Sequence, residues 1–142
     1  MNISLVPHGG VTALIPALLP YLQTSVQWAR GRVTADDIIQ MVLSGQMQLW
    51  VAHDAQVIYG HVITEIKTYP RCKMLTVQYC AMEPGTMSQV EDVMQDVASR
   101  FAKDAGCAGI EFVGRPGWRS TAHKYGYEVQ SVMYQKFFEV TR

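Results

Sequence analysis

Three cationic side chains and a tryptophan lie close together near the carboxyl end of the sequence. The segment RPGWRSTAHKYGYEVQ, residues 115–130, places Arg115, Arg119 and Lys124 around Trp118. Guanidinium groups bind phosphate through a planar fork of N–H donors, so this group could hold an anionic ligand. The alternative is the solvated face of a short helix with a partly buried tryptophan. Arg115 is the best candidate for an anion site, because the Pro-Gly pair after it predicts a loop and not a helix face.

Residue spacings typical of metal and nucleophile sites are absent from the sequence. The His, Asp and Glu residues lack metal-ligand spacing, and no serine-nucleophile motif is visible, so we predict no metal site. Cys72, Cys80 and Cys107 match no zinc or redox pattern, and we expect them to be reduced and mostly buried. His53 and His61 fit turn or edge positions better than catalytic positions.

Hydrophobic periodicity predicts elements in the order β-α-α-β-β-β-α-β-α-β. The predicted strands cover residues 2–7, 47–54, 57–69, 73–82, 108–114 and 127–140. The predicted helices cover residues 12–31, 34–45, 87–104 and 117–125. This order indicates an α/β fold with a mixed, mostly antiparallel central sheet and flanking helices, in which the three middle strands form a meander.

Local signals refine the helix ends. Thr34 is a predicted N-cap, and Thr86 with Gln89 has the spacing of a capping box. Pro16 can lie in a first helical turn, but Pro20 removes a further backbone donor. We therefore expect the first helix to kink or to begin late.

Composition limits the classes of function. A chain of 142 residues with 49% hydrophobic and 17% charged residues is typical of one globular domain, here predicted as residues 1–142. A formal net charge of zero argues against nucleic-acid binding and permits self-association, so we expect a homodimer with the last strand as one candidate edge. The apolar run at residues 11–22 is too short for a membrane span and follows no basic signal-peptide region, which favours a cytoplasmic protein without membrane contact.

The element order and the ending YGYEVQSVMYQKFF resemble the GNAT superfamily, the GCN5-related acyl-CoA N-acyltransferases, over nearly the whole chain. In that family the last helix runs into Gly-Phe or Gly-Tyr, here Gly126-Tyr127, and a strand with basic and aromatic residues follows. The segment GRPGW, residues 114–118, is similar to phage- and prophage-encoded members. The resemblance implies an acyl-CoA N-acyltransferase fold for residues 1–142.

The family implies that acetyl-CoA, as acyl donor, binds at a splay in the sheet beside the fourth strand. Backbone groups of Val77, Gln78 and Tyr79 would then pair with the pantetheine arm, although ordinary strand pairing also explains these residues. The implied acceptor is an amine on a protein or on a small molecule.

The family places the pyrophosphate on the loop and helix start after that strand, here Gly85, Thr86, Met87 and Ser88, with Arg115 as a further phosphate ligand. A helix start presents unpaired N–H groups and the positive end of a dipole. An ordinary capped helix is the alternative. This loop has one glycine where the family has more, and Glu83 would repel phosphate.

The family sometimes places a general base on the third strand, where Glu65 lies, but Glu65 also fits the polar face of a strand. The tyrosine that usually serves as general acid corresponds to Ala122. The resemblance therefore implies acetyl transfer by direct attack of an amine. Two alternatives stay open: a catalytically inactive binding or structural protein of the same fold, phage-encoded in one version, and an unrelated α/β domain.

Overall fold

A computed structural model describes residues 1–138 of the chain. These residues divide into two compact units, Met1–Phe112 and a second unit that begins at Val113. The β-sheet lies entirely within the first unit. That residues 1–142 form a single domain stays a prediction.

The sheet has five strands in the order β1-β2-β3-β4-β5. Their bounds are Asn2–Leu5 (β1), Gln48–Asp54 (β2), Val57–Thr68 (β3), Lys73–Met82 (β4) and Gly109–Phe112 (β5). Strands β1 to β4 pair antiparallel with their neighbours, and β4 pairs parallel with β5. The parallel pair requires a crossover connection, which a helix supplies. The predicted α/β fold class and the meander of three strands are confirmed.

Helices cover both faces of this sheet. Those of the first unit are α1 (Val11–Val26), α2 (Ala35–Leu43) and α3 (Met87–Asp104), with short 3-10 turns at His8–Gly10 and Gln27–Ala29. Side chains alternate across a strand. Leu49 and Val51 of β2 pack with α1 and α2, whereas Trp50 and Ala52 pack with α3. The sheet therefore has an α1/α2 face and an α3 face.

The first helix begins at Val11, before both of its prolines. The expected late start is wrong, for a physical reason. The two prolines are four residues apart, so only the carbonyls of Thr12 and Pro16 lose their helical donors. Burial of Leu18 and Leu22 in the core holds the helix despite this loss. Within residues 1–138 no helix combines the length and the apolar character needed to cross a membrane.

The caps of α2 and α3 differ. Thr34 caps α2 as predicted: its hydroxyl accepts from the Asp37 N–H at 3.2 Å, and its own N–H donates to Asp37 Oδ2 at 2.9 Å. The capping box predicted for Thr86 is wrong, since Thr86 makes no side-chain cap bond. Its backbone is helical rather than extended, and its hydroxyl donates to the Glu83 carbonyl at 2.6 Å.

The second unit contains a 3-10 turn at Pro116–Trp118 and the short helix α4 (Arg119–Lys124). The strand predicted at residues 127–140 is wrong for residues 127–138, which have no strand pairing; residues 139 and 140 lie outside the described part. Tyr134 is 90% exposed and Phe138 is 88% exposed. Alternating apolar residues predict a strand only where a neighbouring strand completes the ladder, and no such neighbour pairs here.

Candidate active site

A β-bulge on β4 marks the centre of the candidate site. Ile63 of β3 lies opposite Tyr79, and the next residue, Thr64, lies opposite Val77, so Gln78 has no partner on β3. A bulge inserts one residue, disrupts the ladder locally and bends its strand. Such irregularities are over-represented beside active sites.

The same point is where β4 loses its other neighbour. The parallel ladder with β5 ends at the pair Val77–Phe112. From Gln78 to Met82, β4 has no second strand partner among the described residues. An open strand edge presents N–H and C=O groups to any extended ligand. The predicted contact residues Gln78 and Tyr79 therefore lie at an edge that fits an amide-containing arm such as pantetheine, whereas Val77 is still paired with Phe112.

Glu65 of β3 lies beside this bulge. Its Oε1 accepts from the Gln78 amide nitrogen at 3.0 Å, and its Oε2 accepts from the Gln46 amide nitrogen at 3.3 Å. Glu65 is half-buried and belongs to the α1/α2 face, the same face as Ile63. The two amide donors hold the Glu65 carboxylate beside the point where β4 loses its pairing with β5. A general base for a ligand bound at that edge would need this position.

Tyr79 follows the bulge and is half-buried against the α1/α2 core. Burial raises the pKa of its phenol, the charges of Glu65 and Asp37 raise it further, and Arg32 opposes them. The phenol therefore stays protonated at neutral pH. Side chains from β3, α2 and the loop before α2 thus act on one hydroxyl at the edge of the site.

The loop after β4 supplies the predicted phosphate residues. Gly85 has a φ of +83°, and a Cβ built on it would meet no atom within 4 Å, so a ligand can approach its backbone closely. Thr86 is buried, Met87 is half-buried in the α3 core, and Ser88 is exposed. Because α3 lacks a side-chain cap, its first N–H groups are suited to an anion.

Glu83, expected to repel phosphate, is held toward the α1/α2 face of the sheet by a hydrogen bond from α1. Tyr21 of α1 donates its phenolic hydrogen to Glu83 Oε2 at 3.0 Å. Sequence reasoning missed this contact, because 62 residues separate the two side chains. No local pattern indicates which tyrosine will reach a given carboxylate.

The remaining predicted phosphate ligand, Arg115, lies in the second unit. It precedes the 3-10 turn in extended backbone conformation and is exposed. Arg119 and Lys124 are also exposed, and the Lys124 ammonium lies 5.1 Å from the centre of the Tyr125 ring. Ala122 lies within α4. The structure thus brings Glu65, Gln78 and Tyr79 together in the first unit, whereas Arg115 belongs to the second.

His61 is a correction to the sequence-based expectation of a turn or edge position. It lies within β3, is fully buried, and its Nε2 is 2.9 Å from the Ser25 hydroxyl of α1. Burial lowers the pKa of His61 to about 4, an effect that the Tyr21 backbone partly opposes. Its Nδ1 has no hydrogen-bond partner in the described part of the chain. The apolar neighbours in VIYGHVI were the signal for burial.

The cysteines offer no activated nucleophile. Burial raises the pKa of Cys80, which lies beside Tyr79 on the strand, to about 12, so its thiol stays protonated. Cys72 is exposed, contrary to the expectation for the cysteines, because it lies in the turn between β3 and β4. All three cysteines are free thiols. Over residues 1–138, no group of three or more His, Cys, Asp or Glu side chains could hold a metal ion.

Several solved structures that superpose on this chain are named as acetyltransferases. An aminoglycoside acetyltransferase from an uncultured soil metagenomic sample, in complex with sisomicin, superposes with a TM-score of 0.71 at 11% identity, over 97% of this chain and 96% of that one. Glucosamine-6-phosphate N-acetyltransferase from Arabidopsis thaliana gives 0.67 at 15% identity, over 97% and 98% of the two chains. A predicted acetyltransferase with acetyl-CoA from Clostridium acetobutylicum gives 0.69 at 13% identity, over 96% and 95%.

Comparison of sequences finds no match for this chain, either to a protein-family model or to a curated protein. At identities of 11 to 15% the likeness establishes the fold and leaves the chemistry to the site. The five-stranded mixed sheet, the flanking helices and these neighbours together show that the chain has the fold of the GCN5-related acyl-CoA N-acyltransferases.

Proposed function

We propose that the protein binds an acyl-CoA, with acetyl-CoA as the donor, and transfers the acetyl group to an amine. One observation carries the proposal: the bulge at Gln78 lies where β4 loses its pairing with β5, and the Glu65 carboxylate is hydrogen-bonded to that bulge. An open strand edge and a fixed carboxylate at one point supply both a donor site and a base. The Clostridium neighbour, whose structure contains acetyl-CoA, supports the same kind of donor.

The chain has groups that fit the pantetheine arm and the pyrophosphate of an acyl-CoA. The open edge of β4 from Gln78 to Met82 suits the two amides of the pantetheine arm. The loop at Gly85 and the uncapped start of α3 suit the pyrophosphate. Arg115 remains the proposed additional phosphate ligand.

Bound acetyl-CoA would supply the thioester carbonyl that the amine attacks. Backbone N–H groups beside Gln78 would donate to the carbonyl oxygen as negative charge develops on it. Glu65 would accept the proton that the amine loses as the carbon–nitrogen bond forms and the carbon–sulfur bond breaks. Direct attack requires no covalent intermediate on the protein, so alignment of the two reactants contributes much of the rate.

A second candidate is a protein of this fold that binds without catalysis. Ala122 stands where the resemblance places a tyrosine acid, and the loop after β4 has a single glycine and no basic residue. These departures favour a module that binds a partner or serves a structural role. The origin from a phage or prophage, suggested by the GRPGW segment, remains a proposal that the genome context of the coding sequence tests. Cytoplasmic location and the homodimer also remain proposals.

Thermal unfolding with and without acetyl-CoA tests the first candidate, with free CoA as a second ligand. At one hundred times its dissociation constant, a ligand adds about 2.7 kcal/mol to the free energy of unfolding, which raises the Tm by several degrees. We expect this shift for the native protein and its loss in Gly85→Glu, where a carboxylate would face the pyrophosphate.

Gly31→Glu is the matched control, because Gly31 lies in an exposed turn of the first unit, has a similar φ of +82°, and a Cβ there meets no atom within 4 Å. Its shift should equal that of the native protein. The absence of any shift with either ligand would refute acyl-CoA binding and leave the non-catalytic candidate.

A further inference from the structure

A surface cavity on the α1/α2 face lies at the far end of the open β4 edge, away from the bulge. It has a volume of about 550 Å³ and lies between α1, the β2–β3 turn and the end of β4. Pro20 and Tyr21 of α1 form one wall, and Ile58, Met82 and Glu83 contribute to the other. Four positions of strand at about 3.3 Å each separate Met82 from the bulge at Gln78, so this cavity is distinct from the bulge.

The cavity has one charged side chain among the described residues that line it, the carboxylate of Glu83. Tyr21 donates to Glu83 Oε2 at 3.0 Å. Burial, this hydrogen bond and the charge of Glu83 all raise the pKa of Tyr21, so the phenol remains a donor at neutral pH. Because Tyr21 occupies Oε2, Oε1 remains available to accept from a ligand.

The donors on the wall formed by α1 are already used. Pro20 has no N–H, and the Tyr21 phenol donates to Glu83 Oε2. The hydroxyl of Thr24 is already used, since it donates to the Pro20 carbonyl at 3.1 Å. A ligand acceptor would find no free donor among the described residues of this wall, whereas an ammonium group has three donors and no acceptor and can bind the Glu83 carboxylate.

The rest of the lining is mainly apolar. Pro20, Ile58 and Met82 present hydrocarbon and thioether surface to the cavity. Pockets with apolar walls and a few placed polar groups bind small ligands, and the polar groups set the orientation. An anionic ligand would face the Glu83 carboxylate, and a hydrophilic cation would leave the apolar walls without a partner.

We propose that this cavity binds a small primary ammonium ion with an aromatic or aliphatic body. The ammonium donates to Glu83 Oε1, and the body packs against Pro20, Ile58 and Met82. Tyr21 is a positioning residue that orients the carboxylate. This inference uses neither Glu65 nor Gln78, and it shares only Met82 with the strand edge proposed for acyl-CoA.

Isothermal titration with 2-phenylethylammonium chloride tests the proposal, with 2-phenylethanol as the uncharged ligand of the same shape. A ligand of this size is expected to have a dissociation constant on the order of 1 mM. We expect Glu83→Gln to weaken binding about tenfold, because it removes a charge-assisted hydrogen bond. Tyr21→Phe should weaken binding a few-fold, and the alcohol should bind about tenfold more weakly than the ammonium ion.

Asp104→Asn is the matched control, because it removes one exposed carboxylate at the end of α3, away from the cavity lining. Its affinity should equal that of the native protein. Equal affinity of the ammonium ion and the alcohol would overturn the proposal, as would undiminished binding in both Glu83→Gln and Tyr21→Phe, or no saturable binding to the native protein. Acetyl-CoA binding, measured separately on the same samples, reports on the proposed function alone.

Discussion

Glu65 and His61 lie on the same strand and the same face, but their surroundings give them different properties. Glu65 is half-buried and accepts hydrogen bonds from two amide side chains at the bulge. His61 is fully buried beneath Ser25 of α1. Glu65 is therefore the proposed proton acceptor, whereas burial of His61 makes the stability of the fold depend on its protonation.

Replacement of Glu65 by Gln should lower kcat for acetyl transfer about 100-fold, since a positioned general base contributes this order of rate. The amide keeps the size of the side chain, so acetyl-CoA binding should remain. Steady-state kinetics with the best amine acceptor, together with the thermal shift by acetyl-CoA, separates the two effects.

The control for this variant is Glu111→Gln. Glu111 is another half-buried carboxylate, and it accepts hydrogen bonds from Tyr69 and Thr76. It lies on β5 and does not contact the bulge residue. Equal losses of kcat in both variants would mean that Glu65 has only a structural role.

The lowered pKa of His61 predicts that the free energy of unfolding decreases as the pH falls. Its pKa is lowered from 6.5 to about 4 in the folded protein. Between these two pH values the unfolded chain binds more protons than the folded protein, so the free energy of unfolding decreases as the pH falls through this window. The shift corresponds to about 3 kcal/mol for a group buried this completely.

Urea unfolding at several pH values from 7 to about 4 measures this effect in the native protein and in His61→Gln. The variant, which has no imidazole, should show a smaller decrease over the same window, whatever its stability at pH 7. The same pH dependence in both proteins would show that His61 does not cause the loss. Carboxylates that also titrate at the lower end contribute equally to both.

At the scale of elements, close approach of β3 and β4 depends on one glycine. Gly60 of β3 has a φ of +153°, and a Cβ built on it would lie 2.2 Å from the Ala81 carbonyl oxygen and 2.7 Å from Met82 Cα. Both are backbone atoms, which cannot move aside as a flexible side chain can. The end of β4, where the proposed ligand edge lies, is thus positioned by a residue that has no side chain.

Gly60→Ala should therefore lower the free energy of unfolding by about 3 kcal/mol or more, through overpacking and backbone strain. Gly9→Ala is the control, since a Cβ there meets no atom and the backbone is not in the left-handed region. Its effect should stay within about 0.5 kcal/mol. Urea unfolding measures the free energy of unfolding of both variants. Similar values would contradict the close approach of the strands.

At the scale of the whole molecule, the two units differ in how their apolar residues are used. The first unit buries its apolar residues on both faces of the sheet. In the second unit, large apolar side chains of residues 129–138 are exposed, with Tyr134 at 90% and Phe138 at 88%. Such a segment is a candidate for pairing with a second copy of the chain, as the homodimer proposal requires.

Hydrogen exchange at two protein concentrations tests this pairing. In dilute solution the amides of residues 128–136 should exchange rapidly, because they belong to no strand, while those of β3 are protected. At high concentration the homodimer proposal predicts new protection in residues 128–136. Rapid exchange at both concentrations would contradict the dimer through this segment, and slow exchange at both would contradict the unpaired state.

Features that depend on near neighbours along the chain can be predicted from the amino-acid sequence alone. Periodicity locates β2, β3 and β4 to within one residue at each end, and the residue type and position of Thr34 before an apolar-periodic segment predict the N-cap that the structure shows. The order of these elements was sufficient to indicate the fold. The short-range signal failed at Thr86, where the backbone conformation turned the hydroxyl away from the helix.

Features that depend on strand register and on contacts between distant residues emerge only when the chain is folded. The bulge at Gln78 is a shift in register between β3 and β4, and periodicity along one strand does not specify such a shift. The Gln78 amide at this bulge donates a hydrogen bond to Glu65. Burial of His61 depends on α1, and the orientation of Glu83 depends on Tyr21. The final strand pattern formed no strand in residues 127–138, because a ladder requires a partner that periodicity cannot specify.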